Sequence, residues 1–317
     1  MARNPFRKLT APRLPAVAIG LETGSLTAVQ LESGGRGTFR VRRAASLRLP
    51  DDVKLPGLSE EPSEDSARLT EFLQELLTAA GLLKFKRWSV TLPEGAARSI
   101  IVTFESRPSS RAEGEEMLRW KIERALGGAY DELRASRIKL ADDTEGRPRY
   151  FVSGIRLSVL RKYESAFEDL GLRPGFVLPR HIAEAEWLKS GTAHGDSILF
   201  TCHSGGFTAT VLRQKQPILI RTVLCDKGDC SDEVYRVFLF YRDRLASSSG
   251  DQSSALRRLM VTGDIIDPEE LMGVIAEALG QHLAPVSADD LGLKLPADAP
   301  GINEMAAPAG AARLAWA

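Results

Sequence analysis

Two apolar runs in the chain lead into one short pattern. Ala16-Val17-Ala18-Ile19-Gly20-Leu21 precedes Gly24-Ser25-Leu26-Thr27-Ala28-Val29-Gln30-Leu31, and Ser197-Ile198-Leu199-Phe200-Thr201 precedes Gly205-Gly206-Phe207-Thr208-Ala209-Thr210-Val211-Leu212. Each pair reads as strand, small-residue turn, strand. The two segments share Gly, Thr, Ala and Leu at matching positions, which predicts two related lobes that each open with a β-hairpin. These residues are common in hairpins, so shared turn chemistry is the alternative reading. Facing glycine and hydroxyl turns could offer backbone N–H groups to a phosphate.

Between the copies, residues 39–49 continue as a strand, and the acidic, proline-rich stretch 50–65 reads as a surface connection. Leu69, Phe72, Leu73, Leu76, Leu77 and Ala80 recur at helical spacing, entered at Ser63 or Ser66 and stopped at Gly81. Residues 87–92 and 100–104 read as strands. Ser110-Arg111-Ala112-Glu113 is a capping box that opens a helix carrying Leu118, Ile122, Ala125 and Leu126. Strands at 137–140 and 149–155 and a helix from Ser158 to Gly171 complete a small β-α-β-β-α unit.

A strand at 176–178 and a helix at 181–188 lead through 190–195 to the second hairpin. There 218–223 and 259–262 read as strands, 232–245 as a helix, 246–254 as a Ser/Gly loop and 268–282 as a helix with proline at its start. Beyond Leu293 the Ala/Pro/Gly-rich end lacks periodicity and is expected to be disordered, although Trp316 could dock. The domains expected are a basic N-terminal arm (1–15), a first lobe (16–98 with 174–190), an inserted subdomain (99–173), a second lobe (195–293) and a disordered tail (294–317).

The 317 residues are 43% hydrophobic and 26% charged, enough for two domains with buried cores. Forty-two Lys+Arg balance 42 Asp+Glu, a net charge of zero that argues against a dedicated nucleic-acid binder. No apolar run approaches the roughly 20 residues needed to span a bilayer, and no cleavable leader is evident, so the expected location is cytoplasmic. The basic arm reads as a floppy terminus, or as a weak attraction to an anionic membrane surface. Cys202, Cys225 and Cys230 lack framework spacing and are expected as reduced thiols. A zinc reading with His203 is weak, because Cys202 and His203 would point to opposite faces of a strand. No metal site is expected.

Three features stand out within this order of elements: Gly171-Leu172-Arg173-Pro174 with Phe176-Val177 and the helix from His181, the helix around Arg119-Trp120, and Lys215-Gln216-Pro217-Ile218-Leu219-Ile220-Arg221. The resemblance they carry, together with the order itself, is to the PilM family of type IV pilus assembly proteins, which is related to FtsA and to the cytoplasmic domain of GspL. It spans about residues 16–293. It implies an α/β, actin-like (ribonuclease H-like) fold of two lobes with duplicated hairpins and an inserted α/β subdomain.

The resemblance also implies ATP and Mg²⁺, on residues that match the family pattern in part. Glu22 stands where the first loop has Asp, Gly24 and Ser25 match with Thr27 beyond them, and the Lys is missing. Mg²⁺ demands near-octahedral geometry at about 2.0–2.1 Å, so a longer Glu is a doubtful substitute. The second loop's Asp-x-Gly aligns with Thr201 and His203, beside Gly205 and Gly206; Thr supplies no carboxylate. The third position is Gly263-Asp264, where Asp264 could meet a ribose hydroxyl or enter a helix. These departures imply a degenerate site that hydrolyses slowly or not at all. No alternative catalytic residues emerge, and His181, His194 and His282 read as helix or loop residues.

The expected function is a cytoplasmic adaptor, peripheral to the inner membrane, of a type IV pilus or type II secretion machine. In the family such a protein binds the N-terminal cytoplasmic peptide of a PilN-like membrane protein in a groove beside the insert. Candidates for that groove are Ile100, Val102 and Phe104 on a strand edge and Trp120 on the neighbouring helix, with core packing the alternative for Trp120. The rival readings are an active ATPase whose nucleotide state regulates assembly and, more remotely, a small-molecule kinase of the same superfamily.

Overall fold

The computed structural model describes residues 14–35, 37–57, 66–189, 195–246, 255–297 and 299–317. Most of the basic arm, part of the acidic connection, residues 190–194 with His194, and most of the Ser/Gly loop lie outside them.

Strands whose residues are apolar on both faces need cover on both faces, and the chain supplies it in layers. The first sheet contains β1 (Val17–Glu22), β2 (Ser25–Gly35), β3 (Thr38–Arg48), β4 (Arg87–Leu92), β8 (Arg173–Pro179) and β13 (Leu293–Lys294), in the order β13-β3-β2-β1-β4-β8. The second contains β9 (Asp196–His203), β10 (Gly206–Arg213), β11 (Gln216–Leu224) and β12 (Leu256–Thr262), in the order β11-β10-β9-β12. In each, an antiparallel hairpin is joined by a parallel strand, β4 on β1 and β12 on β9.

On the outer face of the first sheet, Ile19, Leu21 and Val90 pack against α1 (Ser66–Ala79) and α3 (Leu157–Glu168). On the outer face of the second, Phe200, Phe207 and Val211 pack against α5 (Cys230–Phe240) and α6 (Pro268–Leu279). Between the sheets lie α4 (Arg180–Leu188) and α7 (Ile302–Arg313), in a core that joins Ala18 and Val29 to Leu199 and Met260. The result is five layers, helices–sheet–helices–sheet–helices. A third sheet, β5 (Arg98–Thr103), β6 (Leu133–Lys139) and β7 (Arg149–Arg156) in the order β5-β7-β6, carries α2 (Arg111–Leu126) and has its own small core. Ser110 caps α2 by accepting from the Glu113 N–H, whereas the Glu113 carboxylate turns to Ser109 and leaves the capping box half formed.

Three expectations change. The helix from Ser158 packs with α1 on the first sheet instead of completing the insert, because Val159, Tyr163 and Phe167 belong to that core. The tail beyond 294 is not disordered: α7 is helical, and Met305 to Ala312 are buried without exception. A helix covered on all sides has no polar face, so the periodicity that would have announced it is absent. Gly20 makes room for it, since a Cβ there would lie 2.9 Å from Pro308 Cδ, and Gly310 lies against the Ala183 carbonyl. Trp316 docks on Phe39, with ring centroids 5.9 Å apart. Finally, Cys225 and Cys230 are joined as a disulfide instead of standing as reduced thiols, because the intervening turn brings their Cα atoms to 5.6 Å. Cys202 is free and buried, and burial pushes its thiol up to about 12. No cluster of metal-ligating side chains occurs among the described residues.

Candidate functional site

The two hairpins that open the lobes have the same register. Glu22 pairs with Ser25 across Thr23-Gly24, and His203 pairs with Gly206 across Ser204-Gly205. The pseudo-repeat therefore sets His203 against Glu22 and Gly205 against Gly24, so the residue matching Glu22 is His203, with Thr201 two positions earlier. Burial holds His203 below the usual histidine range, and its Nδ1 accepts from the Gly205 N–H at 3.2 Å. That N–H is one a phosphate would need. Gly206 has φ +134, and a Cβ there would lie 2.0 Å from the Val223 carbonyl oxygen; Gly263 has φ +80 and lies against Cys202.

The chemistry between the lobes comes from α4, which no motif marked. Its first residue, Arg180, is buried and reaches three acceptors. Its Nη1 lies 3.1 Å from Glu22 Oε2 and donates to the Cys202 carbonyl at 3.2 Å, and its Nε lies 2.8 Å from Glu184 Oε1. The other oxygen of Glu184 accepts from Thr201 at 2.5 Å and from Thr262 at 2.9 Å. A second branch runs through Glu94, which bonds His181 Nδ1 at 2.7 Å and accepts from Thr208 at 2.7 Å, with Thr222 3.1 Å beyond. Glu22 and Glu94 come from the first sheet's side, while Thr201, Thr208 and Thr262 are on the second sheet. The network thus ties the lobes together through one helix.

Burial dominates its electrostatics. It pushes Glu22 up to about 7 despite the pull of Arg180, with Glu184, Glu304 and Glu94 adding repulsion. Burial would raise Glu94 as well, but His181, the hydrogen bonds from His181 and Thr208, and Arg180 bring it down to about 2. Burial works against the charge of Arg180, yet Glu184 and Glu22 hold its pKa above the ordinary arginine value. The guanidinium is the fixed cation of the site.

A Mg²⁺-nucleotide does not fit these residues. Mg²⁺ needs carboxylate oxygens or waters in octahedral array. Here Glu22 and Glu184 flank a guanidinium, and the second lobe offers a histidine and threonines already donating inward. One polar atom on each charged partner, Glu22 Oε1 and Arg180 Nη2, has no protein partner. The other candidates are scattered. Thr27 bonds Ser46 at 3.1 Å, Ser25 is half-buried at the first turn, and Asp264 is exposed while Asp267 caps α6. Glu94, Arg180 and Glu184 escaped the sequence reading, and His181 was read only as a helix or loop residue. The available signal was Arg180 and Glu184 at i, i+4 on a short helix otherwise rich in Ala, Trp and Leu, since charges on such a helix are buried only when paired.

The groove candidates also resolve differently. Val102 and Phe104 lie in the insert's own core with Leu118 and Ile122, and Ile100 packs against that core. Trp120 is 53% exposed, with Arg124 over its ring at 5.3 Å. A cleft of about 690 Å³ opens on the other side of the insert instead. The β6–β7 face supplies Ile138 and Phe151, β8 and α4 supply Phe176 and Ile182, and the β10–β11 hairpin supplies Leu212 and Ile220. Arg134, Lys139, Lys189 and Lys215 line it together with Glu164 and Glu186, and Lys189 pairs with Glu186. Among the described residues no helix is long and apolar enough to cross a membrane.

No protein-family model and no curated protein sequence matches the chain. Among solved structures, it is similar to a chain of the PilM-PilN type IV pilus biogenesis complex at 18% identity and a TM-score of 0.73, over 96% of this chain and 99% of the other. It is also similar to a protein of Bacteroides thetaiotaomicron with an actin-like ATPase fold and unknown function, at 13% identity and a TM-score of 0.49, over 96% and 98%. A third match is the cytoplasmic domain of EpsL, an inner-membrane component of the Vibrio cholerae type II secretion system, at 13% identity and a TM-score of 0.44, over 84% and 94%. The five layers, the two hairpin-led lobes and the match along nearly the whole chain establish an actin-like ATPase fold that resembles PilM.

Proposed function

We propose that this protein is a PilM-like scaffold, cytoplasmic and peripheral to the inner membrane, in a type IV pilus or type II secretion assembly. It takes a short N-terminal cytoplasmic peptide of a PilN-like membrane protein. The observation that carries this reading is the 690 Å³ cleft, apolar within and lined at its margins by charges of both signs. One of its walls is the β6–β7 face, and β6 is an edge strand with β7 on one side. An extended peptide can complete such an edge with main-chain hydrogen bonds while its alternate side chains enter the apolar floor. Arg134 and Lys215 on its lining suit acidic or carboxyl groups flanking that peptide.

The nucleotide site is degenerate in this reading, and the protein acts by binding. A working ATPase needs Glu22 free to order Mg²⁺, and the Arg180 ion pair weighs against it. The small-molecule kinase reading would need one of Glu22, Glu94 or Glu184 as its base, and each is engaged with Arg180, His181 or a threonine. The test is fluorescence anisotropy with a labelled peptide from the cytoplasmic N-terminus of the single-pass membrane protein encoded beside this one. Saturable binding at tens of micromolar or tighter is expected. No binding there ends the peptide-cleft reading.

A further inference from the structure

We propose that the Arg180 guanidinium has taken over the place of the metal-nucleotide between the lobes and keeps them closed without any ligand. Three observations converge. Arg180 is 4% exposed and sits where the two hairpin turns face the first residue of α4. It bonds groups of both lobes, Glu22 at the end of β1 and the Cys202 carbonyl on β9. Its partner Glu184 then relays to the second sheet through Thr201 and Thr262. A planar guanidinium can hold several oxygens at fixed angles, as a coordinated cation does, but it cannot exchange with solvent.

The arrangement of carboxyl groups agrees: Glu22 and Glu184 face one guanidinium, and Glu94 faces His181, which suits a cation and not a polyphosphate. Actin-like folds that open and close with their ligand pass between states of different lobe separation. In this chain the cation that bridges the lobes is covalently part of α4, so it cannot be released. Arg180 does not line the apolar cleft, so this inference stands or falls apart from the peptide reading.

Chemical rescue tests it. In Arg180→Ala, the thermal midpoint is expected to drop and to recover by several degrees, saturably, on adding millimolar guanidinium or methylguanidinium chloride. Matched sodium chloride or urea should give no recovery, and the wild-type protein should not respond. An Arg180→Ala protein that keeps its midpoint, or that guanidinium fails to restore, overturns the proposal. Should that variant not fold, Arg180→Lys decides, because an ammonium lacks the fork: it is expected to fold with a lowered midpoint, and wild-type stability refutes the lock. Wild-type protein titrated with MgATP, MgADP and MnATP should show no midpoint shift, and a saturable, metal-dependent shift overturns the proposal in either case.

Discussion

Replacing Glu22 by Gln is expected to change how stability depends on pH more than stability itself. In the folded protein burial raises the carboxyl from its ordinary 4.5 to about 7. In the unfolded chain it is solvated and ordinary. The folded state therefore holds the proton more tightly, and its contribution is fully present below pH 4.5 and lost as pH rises through about 7. At about 1.4 kcal/mol per unit the whole effect is about 3 kcal/mol, with a slope approaching about 1.4 kcal/mol per pH unit inside that window. Gln cannot ionise. Altered packing and hydrogen bonding of the amide add a pH-independent offset, but the difference between the proteins should move in favour of Glu22→Gln by about 3 kcal/mol between pH 4 and pH 8. Urea unfolding followed by tryptophan fluorescence at half-unit pH intervals measures it. Glu94, at about 2, loses its contribution as pH falls below 4.5 and so acts in a separate window. Parallel curves for the two proteins across pH 4.5 to 8 would refute the reasoning, because Glu22 would then be ionised throughout.

Gly310→Ala should cost about 3 kcal/mol or more in urea unfolding, since the new Cβ would lie 2.1 Å from the Ala183 carbonyl oxygen and must push α7 off α4. A cost under about 1 kcal/mol would mean that α7 is not packed this way. Gln214 and Lys215 turn the β10–β11 hairpin at φ +50 and +67, so the pair Gln214→Asn with Lys215→Gly should raise stability by roughly 0.5–1 kcal/mol in the same assay. Ile138→Asp should weaken peptide binding at least about tenfold in anisotropy while leaving the unfolding midpoint in place, because Ile138 is 63% exposed yet lines the cleft. Trp120→Ala should alter neither quantity, and a loss of peptide affinity there would return the groove to the opposite face of the insert.

How far the sequence could be read depended on whether each signal is local. Strand β4 at 87–92, the cap at Ser110 and the helix that starts at Pro268 were legible because turn, cap and periodicity act within a few residues. The repeated hairpins were legible for the same reason, and their shared register matches Glu22 with His203, two positions beyond Thr201. Val102 and Phe104 were misread as groove residues because an apolar strand looks the same whichever of its faces meets a helix.

By itself, the sequence determined the two-lobed α/β plan, the absence of the loop Lys and of the second-loop carboxylate, and hence the doubt about Mg²⁺. These follow from which side chains exist. Only the tertiary structure decided what stands in their place. Glu22, Glu94, the pair Arg180 and Glu184, and the pair Thr201 and Thr208 come from widely separated stretches of the chain, and their meeting depends on two sheets closing on α4. It likewise decided the fate of the last helix, whose Ala- and Gly-rich surface carries no periodic signal because it is buried on every side. Burial between two layers is a property of the assembled core, and no local pattern of residues encodes it.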